Sequence, residues 1–207
     1  MSNKPAFKRA EPDERRQSLI EACARVLARA GASGASVRTI ALEAGVSPGL
    51  VGHYFGSVDA LVAATYGHTG ARVDAALAAA LTAAGPDPRA KLEAFVTASF
   101  LPPIADPQLL ATWIAFWSLV RARSDIAAQH DTQYANFRAR LVALLAACGL
   151  PGDQQRRAAI AISALVDGLW LELCLSPGSF SSDEASAIAR AQLDALISTR
   201  PATWKDR

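Results

Sequence analysis

Residues 36–55 read SVRTIALEAGVSPGLVGHYF, and this run decides the fold. Ser36 is placed to cap a helix, because its hydroxyl can accept from a free amide of the first turn. Val37, Ile40 and Ala41 recur at i, i+3 and i+4, so the short helix that follows has one buried face. Ala44 is small enough for a second helix to come close. Gly45 admits the left-handed backbone that a tight corner between helices needs. Val46 plugs that corner. Ser47 is expected to cap the next helix, and Pro48 suits its first turn, where a missing N–H costs nothing. Leu50 and Val51 anchor that helix inward, leaving Gly49, Gly52 and His53 outside. Two short helices joined by a sharp turn in this order make a helix-turn-helix, with one helix to brace and one to enter a major groove. A plain helical hairpin has the same outline, so the order of side chains carries the reading.

Outward from this run, the chain is all-α in its patterning. Ala, Leu, Arg, Glu and Gln dominate, and β-branched runs are scarce. Glycine and proline punctuation predicts nine helices. The first runs from near Pro12 to Gly31 or Gly34, and Gly45 and Gly56 close two short ones. A long Ala-rich helix spans about Ser57–Ala84. The others are Asp87–Leu101, Asp106–Arg123, Asp125–Cys148, Pro151–Ser176 and Ser182–Thr199. The 207 residues carry a net charge of +2, and the excess lies wholly in residues 1–66. Any polyanion-binding surface is therefore local and N-terminal.

The order Ser36, Ile40, Ala41, Ala44-Gly45-Val46-Ser47, Gly49 and His53-Tyr54-Phe55 resembles the DNA-binding domain of the TetR family of repressors. The resemblance spans roughly residues 12–66 and includes Arg15-Arg16 followed by Leu19, Ile20, Ala24 and Leu27. It implies that Ser36, Arg38 and Thr39 face DNA from the second helix. It implies the same for Ser47, Pro48, Gly49, Gly52, His53 and Tyr54 from the recognition helix. Phosphate contacts would position such a domain and base-edge contacts would specify the operator. One departure stands out. The family usually carries a lysine just after the His-Tyr-Phe segment, whereas this chain has Gly56-Ser57-Val58-Asp59. The backbone amides of the next helix, or an arm bearing Lys4, Lys8 and Arg9, are expected to supply part of this contact, leaving a weaker phosphate clamp than is usual in the family.

The C-terminal part carries Trp113, Phe116 and Trp117 on one helical face. An aromatic stripe of this kind is either core packing or one wall of a pocket. In 160–173 the residues Ile160, Ile162, Leu165, Val166, Leu169, Trp170, Leu171 and Leu173 surround a helix almost completely. A helix apolar all round needs partners on both sides. A second subunit is expected on one of them, with Leu169, Leu173, Ile188 and Leu196 at an isologous four-helix interface. Asp167 and Glu172 lie in this helix about 140° apart at ~100° per residue, so they do not serve one site together. Asp167 lies close to Trp170 around the helix. A carboxylate beside aromatic rings forms a box for an organic cation.

Trp113-Ile-Ala-Phe-Trp117 and Asp167-Gly-Leu-Trp-Leu171 resemble the choline-responsive repressors of glycine-betaine synthesis within the same family. That resemblance implies a small-molecule inducer of the choline class, held by Trp113, Phe116, Trp117, Asp167 and Trp170. Glu172 stands where a basic residue is expected in that subgroup; it would either strengthen a cationic pocket or pair with an arginine across the dimer, and the pairing is the reading we favour. A TetR-type regulator answering to an unrelated apolar or aromatic ligand is the alternative. A helical interaction protein without a DNA role leaves the helix-turn-helix unexplained.

The expected organisation is a flexible basic arm at 1–11 and a helix-turn-helix domain at 12–66. A helical ligand-binding and dimerisation domain at 67–199 and a tail at 200–207 complete it. The expected partners are double-stranded operator DNA, a small-molecule inducer and a second copy of the chain. No phosphate-binding, nucleophile-elbow or zinc-protease motif is present, and His53, His68 and His130 lack metal-ligand spacing. No catalytic residue, cofactor or metal site is therefore expected. Cys23, Cys148 and Cys174 are far apart among apolar neighbours and read as core residues in a reducing compartment. Residues 1–20 are charged, which argues against a signal peptide and for the cytoplasm. The run Leu109–Val120 is too short to span a bilayer, and Ala158–Leu175 contains Asp167 and Glu172. Both read as buried helices, so no membrane association is expected.

Overall fold

Ser36 caps helix α2 (Val37–Glu43) from an extended backbone, its Oγ accepting from the Thr39 amide at 3.1 Å. Thr39 Oγ1 accepts in return from the Ser36 amide at 2.9 Å and donates to the Gly34 carbonyl at 2.8 Å. This reciprocal box fixes the start of α2. The end of α2 is equally local. Gly45 takes φ 65°, its amide donates to Leu42 O, and the Val46 amide donates to Ala41 O at 2.9 Å. Those two bonds satisfy carbonyls that the helix end leaves open. Helix α3 (Gly49–Phe55) follows, and its Val51 is fully buried together with Ile40 and Ala41 of α2. Here the structure corrects one expectation. Ser47 makes no side-chain cap; Pro48, already at φ −55°, occupies the cap position, and the Leu50 amide bonds the Ser47 carbonyl instead.

The structure, a computed structural model, describes residues 12–198. Among these residues the chain forms nine α-helices and a single 3-10 turn. Helix α1 (Pro12–Gly34) bends at Gly31 and braces the helix-turn-helix. Its Arg25 Nε donates to Glu43 at 2.7 Å and Arg29 to the same carboxylate at 3.0 Å, which ties α2 to α1. These two bonds hold the Glu43 carboxyl below its usual range. Arg16 lies over the Phe55 ring at 4.9 Å. Three of the N-terminal cations are thus engaged inside the domain, leaving fewer for an outside partner than the sequence count implies.

Helix α4 (Val58–Ala83) runs unbroken from the helix-turn-helix into the rest of the fold, so positions 66 and 67 fall within one helix. It is followed by α5 (Pro88–Thr97), the 3-10 turn Ala98–Phe100, α6 (Pro107–Val120), α7 (Ser124–Ala147), α8 (Gly152–Leu175) and α9 (Ser182–Ser198). Helix α1 packs most extensively against α6, and α7 against α8. Thr112 of α6 donates chiefly to Gln108 O at 2.7 Å, with the Ala24 carbonyl of α1 at 3.3 Å as a second, longer contact. Arg123, just beyond α6, donates to Asp59 in the first turn of α4 at 2.9 Å. Helix α6 is therefore fastened to the N-terminal domain at two points.

Helix α8 is long and apolar enough to cross a bilayer by composition, yet it packs along α6, α7 and α9. Its inner side buries Ala158, Ala159, Ile162, Val166 and Trp170. Cys23 is fully buried, its thiol pushed up to about 11 by burial, and the three cysteines are free. The arm with Lys4, Lys8 and Arg9 and the tail 200–207 lie outside the described residues.

Candidate functional site

Two regions draw the singled-out residues together. The first is the outer surface of α2 and α3. Arg38, Ser47, Pro48, Gly49, Gly52 and His53 are exposed, and Tyr54 is half-buried with its ring edge-on to His53 at 5.0 Å. Ser36 and Thr39 are exposed too, but their hydroxyls are engaged in the cap of α2. Their part at this surface is to set the position of α2. The polar side chains left to meet a partner are Arg38, Ser47, His53 and Tyr54. Asp59, in the stretch where the family lysine is missing, has its charge offset by Arg123. The Ser57 hydroxyl accepts from the Ala60 amide, so this helix start is already partly capped.

The second region is a cavity of about 100 Å³ between α4, α6, α7 and α8. Trp113 and Trp117 of α6 and Asp167 and Trp170 of α8 line it, as the sequence leads one to expect. Phe116 does not. It is fully buried between Tyr66 and Trp113, at ring distances of 4.8 and 5.7 Å, and belongs to the core. Phe116 and Trp113 are three residues apart on α6, so both fall within the apolar arc of that helix. Tyr66 packs against both rings, at 5.2 Å from Trp113 and 4.8 Å from Phe116, but only Trp113 also lines the cavity. Tyr134 and Phe137 of α7 complete the aromatic wall, with Val73 and Leu77 of α4 opposite. The sequence reading missed these two aromatics because α7 is otherwise rich in polar residues. Their i, i+3 spacing was the available signal.

Asp167 is the chemical centre of this cavity. Burial pushes its carboxyl up to about 6, against the opposing effects of the Tyr134 hydroxyl and the Arg138 charge. The Tyr134 hydroxyl donates to Asp167 Oδ1 at 2.9 Å, and burial followed by the Asp167 charge holds that phenol well above its usual range. Among the described residues no lysine or arginine nitrogen forms an ion pair with Asp167. Asp74 of α4, which also lines the cavity, is by contrast paired with Arg140 at 3.2 Å. Trp170 is locked in place because its Nε1 donates to the Ser99 carbonyl at 2.6 Å. Trp117, Tyr134 and Asp167 also stand in the wall of a wider cleft lined by Arg121, His130 and Leu171. The cleft and the cavity thus meet at these three shared residues. Glu172 is exposed and lines neither space.

The surface of α8 and α9 completes the picture. Ile160, Leu171 and Leu175 of α8 and Ile188 of α9 are exposed apolar side chains, with Ala161, Ala164 and Gly168 exposed between them. Leu169, Leu173 and Leu196 are instead half-buried against the core. The outward stripe of α8 is thus 160, 164, 168, 171 and 175, one helical face.

Comparison with known proteins fits both regions. Residues 19–65 match the model described as bacterial regulatory proteins of the tetR family. Residues 88–198 match that of the BetI-type transcriptional repressor C-terminal domain. The chain is 36% identical over 188 residues to the HTH-type transcriptional regulator BetI of Burkholderia thailandensis, covering 90% of this chain and 95% of that one. It is 35% identical over 184 residues to BetI of Pseudomonas fluorescens, covering 87% and 91%. A solved transcriptional regulator from Pseudomonas aeruginosa PAO1 superposes with a TM-score of 0.84 at 40% identity over 96% of this chain and 97% of that one. A regulator from Saccharomonospora viridis, solved in complex with choline, shares the fold with a TM-score of 0.77 at 18% identity, over 88% and 96%. With a capped helix-turn-helix at one end and a cavity built on a BetI-type C-terminal domain at the other, the chain belongs to the TetR family as a BetI-type, ligand-responsive, DNA-binding transcriptional repressor.

Proposed function

We propose that the inducer of this repressor is a compact quaternary ammonium compound of the choline class, bound at Asp167 and the surrounding rings. The observation that carries this reading is a largely buried carboxylate in no ion pair, with Trp113, Trp117, Tyr134 and Trp170 around it. A quaternary ammonium has no N–H to donate, so aromatic faces and one negative charge are what recognise it. The cavity of about 100 Å³ shares Trp117, Tyr134 and Asp167 with the wider cleft beside it, so Asp167 borders both spaces. The choline-bound Saccharomonospora regulator shows that this fold accepts such a ligand.

The repressor acts as a dimer in this reading, joined through the exposed apolar stripe of α8 and Ile188 of α9. A dimer places two recognition helices about one DNA turn apart. Helix α6 links ligand to DNA. It presents Trp113 and Trp117 to the cavity, packs along α1, and is tethered near its end to Asp59 of α4. A ligand that draws α6 and α8 together shifts α1 and α4, and with them α3. Operator affinity then falls by as much as the ligand prefers the shifted state.

The test is calorimetric titration with choline and with 3,3-dimethylbutan-1-ol, its neutral isostere. The expected result is binding of choline with the neutral compound weaker by at least about 30-fold, from the loss of a buried charge pair. Equal binding of the two supports the second reading, an apolar ligand, for which the predominantly hydrophobic wall of the cavity is the favouring observation.

A further inference from the structure

The outer half of α4 turns a face without charge to the solvent. Beyond Arg72 its exposed positions are Ala75, Ala78, Ala79, Thr82 and Ala83. A helix face open to water usually carries charged residues, so a face of alanines asks for a partner. Residues 72, 76, 79, 80 and 83 recur at helical spacing and form one wall of an open groove. The other wall is the connection into α6, through Ala98, Leu101, Pro102, Pro103 and Ile104. Leu101, a large apolar side chain, is 43% exposed there. The groove shares only Val73 with the ligand cavity.

This groove has one polar end. Arg72 is the single charged residue that lines it, and Arg72 also borders a polar cleft between α1, α4 and the start of α6. The other charged residues of that cleft are engaged. Glu21 accepts from Gln17, Arg25 is bonded to Glu43, and Asp106 accepts from the Leu109 amide. Arg72 alone of the four forms no ion pair or hydrogen bond among the described residues. We propose that the groove binds a linear, medium-chain carboxylate, its head at Arg72 and its tail along the alanine face of α4. A guanidinium at one end matches a carboxylate, and alanine, leucine and proline walls match an alkyl chain. A peptide fits less well, because its backbone needs hydrogen-bond partners and the walls beyond Arg72 have no polar side chain. From Arg72 to Ala83 the helix rises about 16 Å at ~1.5 Å per residue, room for a chain of roughly ten carbons.

The experiment is calorimetric titration of the full chain with decanoate and with butyrate, which has the same head and a shorter tail. Decanoate is expected to bind, and butyrate to bind at least about 100-fold more weakly, from the methylenes that the groove covers. Arg72→Gln is expected to weaken decanoate binding about fivefold, the scale of an ion pair open to water. Ala79→Glu puts a charge on the alanine wall and is expected to weaken it at least about tenfold. Both positions are exposed on α4, so neither substitution disturbs the core. Trp117→Ala, in the ligand cavity, is expected to bind decanoate as wild type does. Absence of decanoate binding to wild type overturns the proposal, and so does equal affinity for the two acids. Binding lost in Trp117→Ala but kept in Ala79→Glu also overturns it, because the chain then lies in the cavity between α4, α6, α7 and α8. No decanoate binding together with an altered oligomeric state of Ala79→Glu overturns it in favour of a second copy of the chain on the alanine face.

Discussion

Replacing Asp167 with asparagine is expected to abolish the response to a quaternary ammonium while making the folded chain more stable at neutral pH. The two effects have one cause. The carboxyl titrates at about 6 in the fold against an ordinary 3.8, so folding favours its protonated form. Below about pH 4 the group is protonated in both states and stability is unaffected. Between about pH 4 and 6 the unfolded chain ionises while the native group stays protonated, so stability falls, and above about 6 the native state bears the full cost of a partly buried charge. At neutral pH that cost is at most about 3 kcal/mol. Asparagine removes the charge and can still accept from Tyr134. The gain in stability should therefore be absent below about pH 4, grow between about pH 4 and 6 and hold constant above that in chemical denaturation curves. Ligand affinity moves the other way. Choline binding to wild type should weaken by about tenfold per pH unit below about 6, whereas Asp167→Asn should bind weakly at every pH. Arg138 and Tyr134 face the carboxylate from α7, and Asp74 lines the same space from α4. Arg121 and His130 line the cleft beside it, and of all these groups Arg138 alone acts on the carboxylate as a countercharge, without forming an ion pair. A wild-type affinity that is flat between roughly pH 5 and 8 contradicts this assignment.

Alanine at Gly49 and Gly52 is expected to strengthen the fold and weaken the operator complex. Both glycines are exposed in α3, and neither has the positive φ that explains Gly45 or Gly56. An added Cβ at either position meets nothing within 4 Å. A glycine inside a helix, as Gly52 is, lowers stability by roughly 0.5–1 kcal/mol relative to alanine, and Gly49 opens α3. Nothing inside the subunit repays that cost, so the reason lies outside it. A recognition helix without Cβ atoms at these points can bring its backbone close to base edges or phosphates. Gly49→Ala/Gly52→Ala should raise the melting temperature by roughly 2–4 °C, the shift that about 1 kcal/mol produces in a domain of this size. Operator affinity should fall by about tenfold or more, comparable to a mismatched base pair in each half-site. Variants that melt higher but bind DNA unchanged would show that the glycines have no role in the approach.

How much was legible in the sequence depended on how local the physics is. The helix-turn-helix could be read because its determinants are neighbours in the chain. The Ser36 box closes within three residues, and the Gly45 turn closes on Ala41 and Leu42. The exception, Ser47, is also local, since a proline already in helical geometry displaced it from the cap. The cavity was legible only by half. Helical spacing puts Trp113, Phe116 and Trp117 on one arc, and Asp167 near Trp170. Spacing cannot say that Tyr66, from a helix 50 residues earlier in sequence, draws Phe116 into the core. Nor does it show that α7 closes the cavity with Tyr134 and Phe137. The same limit applies to α8. That it is apolar all round is plain from sequence, but the register that turns Leu169 and Leu173 inward and Ile160 and Leu171 outward is set by α7 and α9.

The central claim is that a cation in this cavity governs the grip on DNA. It is tested most directly by titrating choline into the protein–operator complex and following DNA release by fluorescence anisotropy, for wild type and Asp167→Asn side by side. The account predicts release from wild type and none from Asp167→Asn, with the two proteins holding the operator equally well in the absence of ligand. Choline binding to wild type with operator affinity unchanged, or equal release from both proteins, would contradict it.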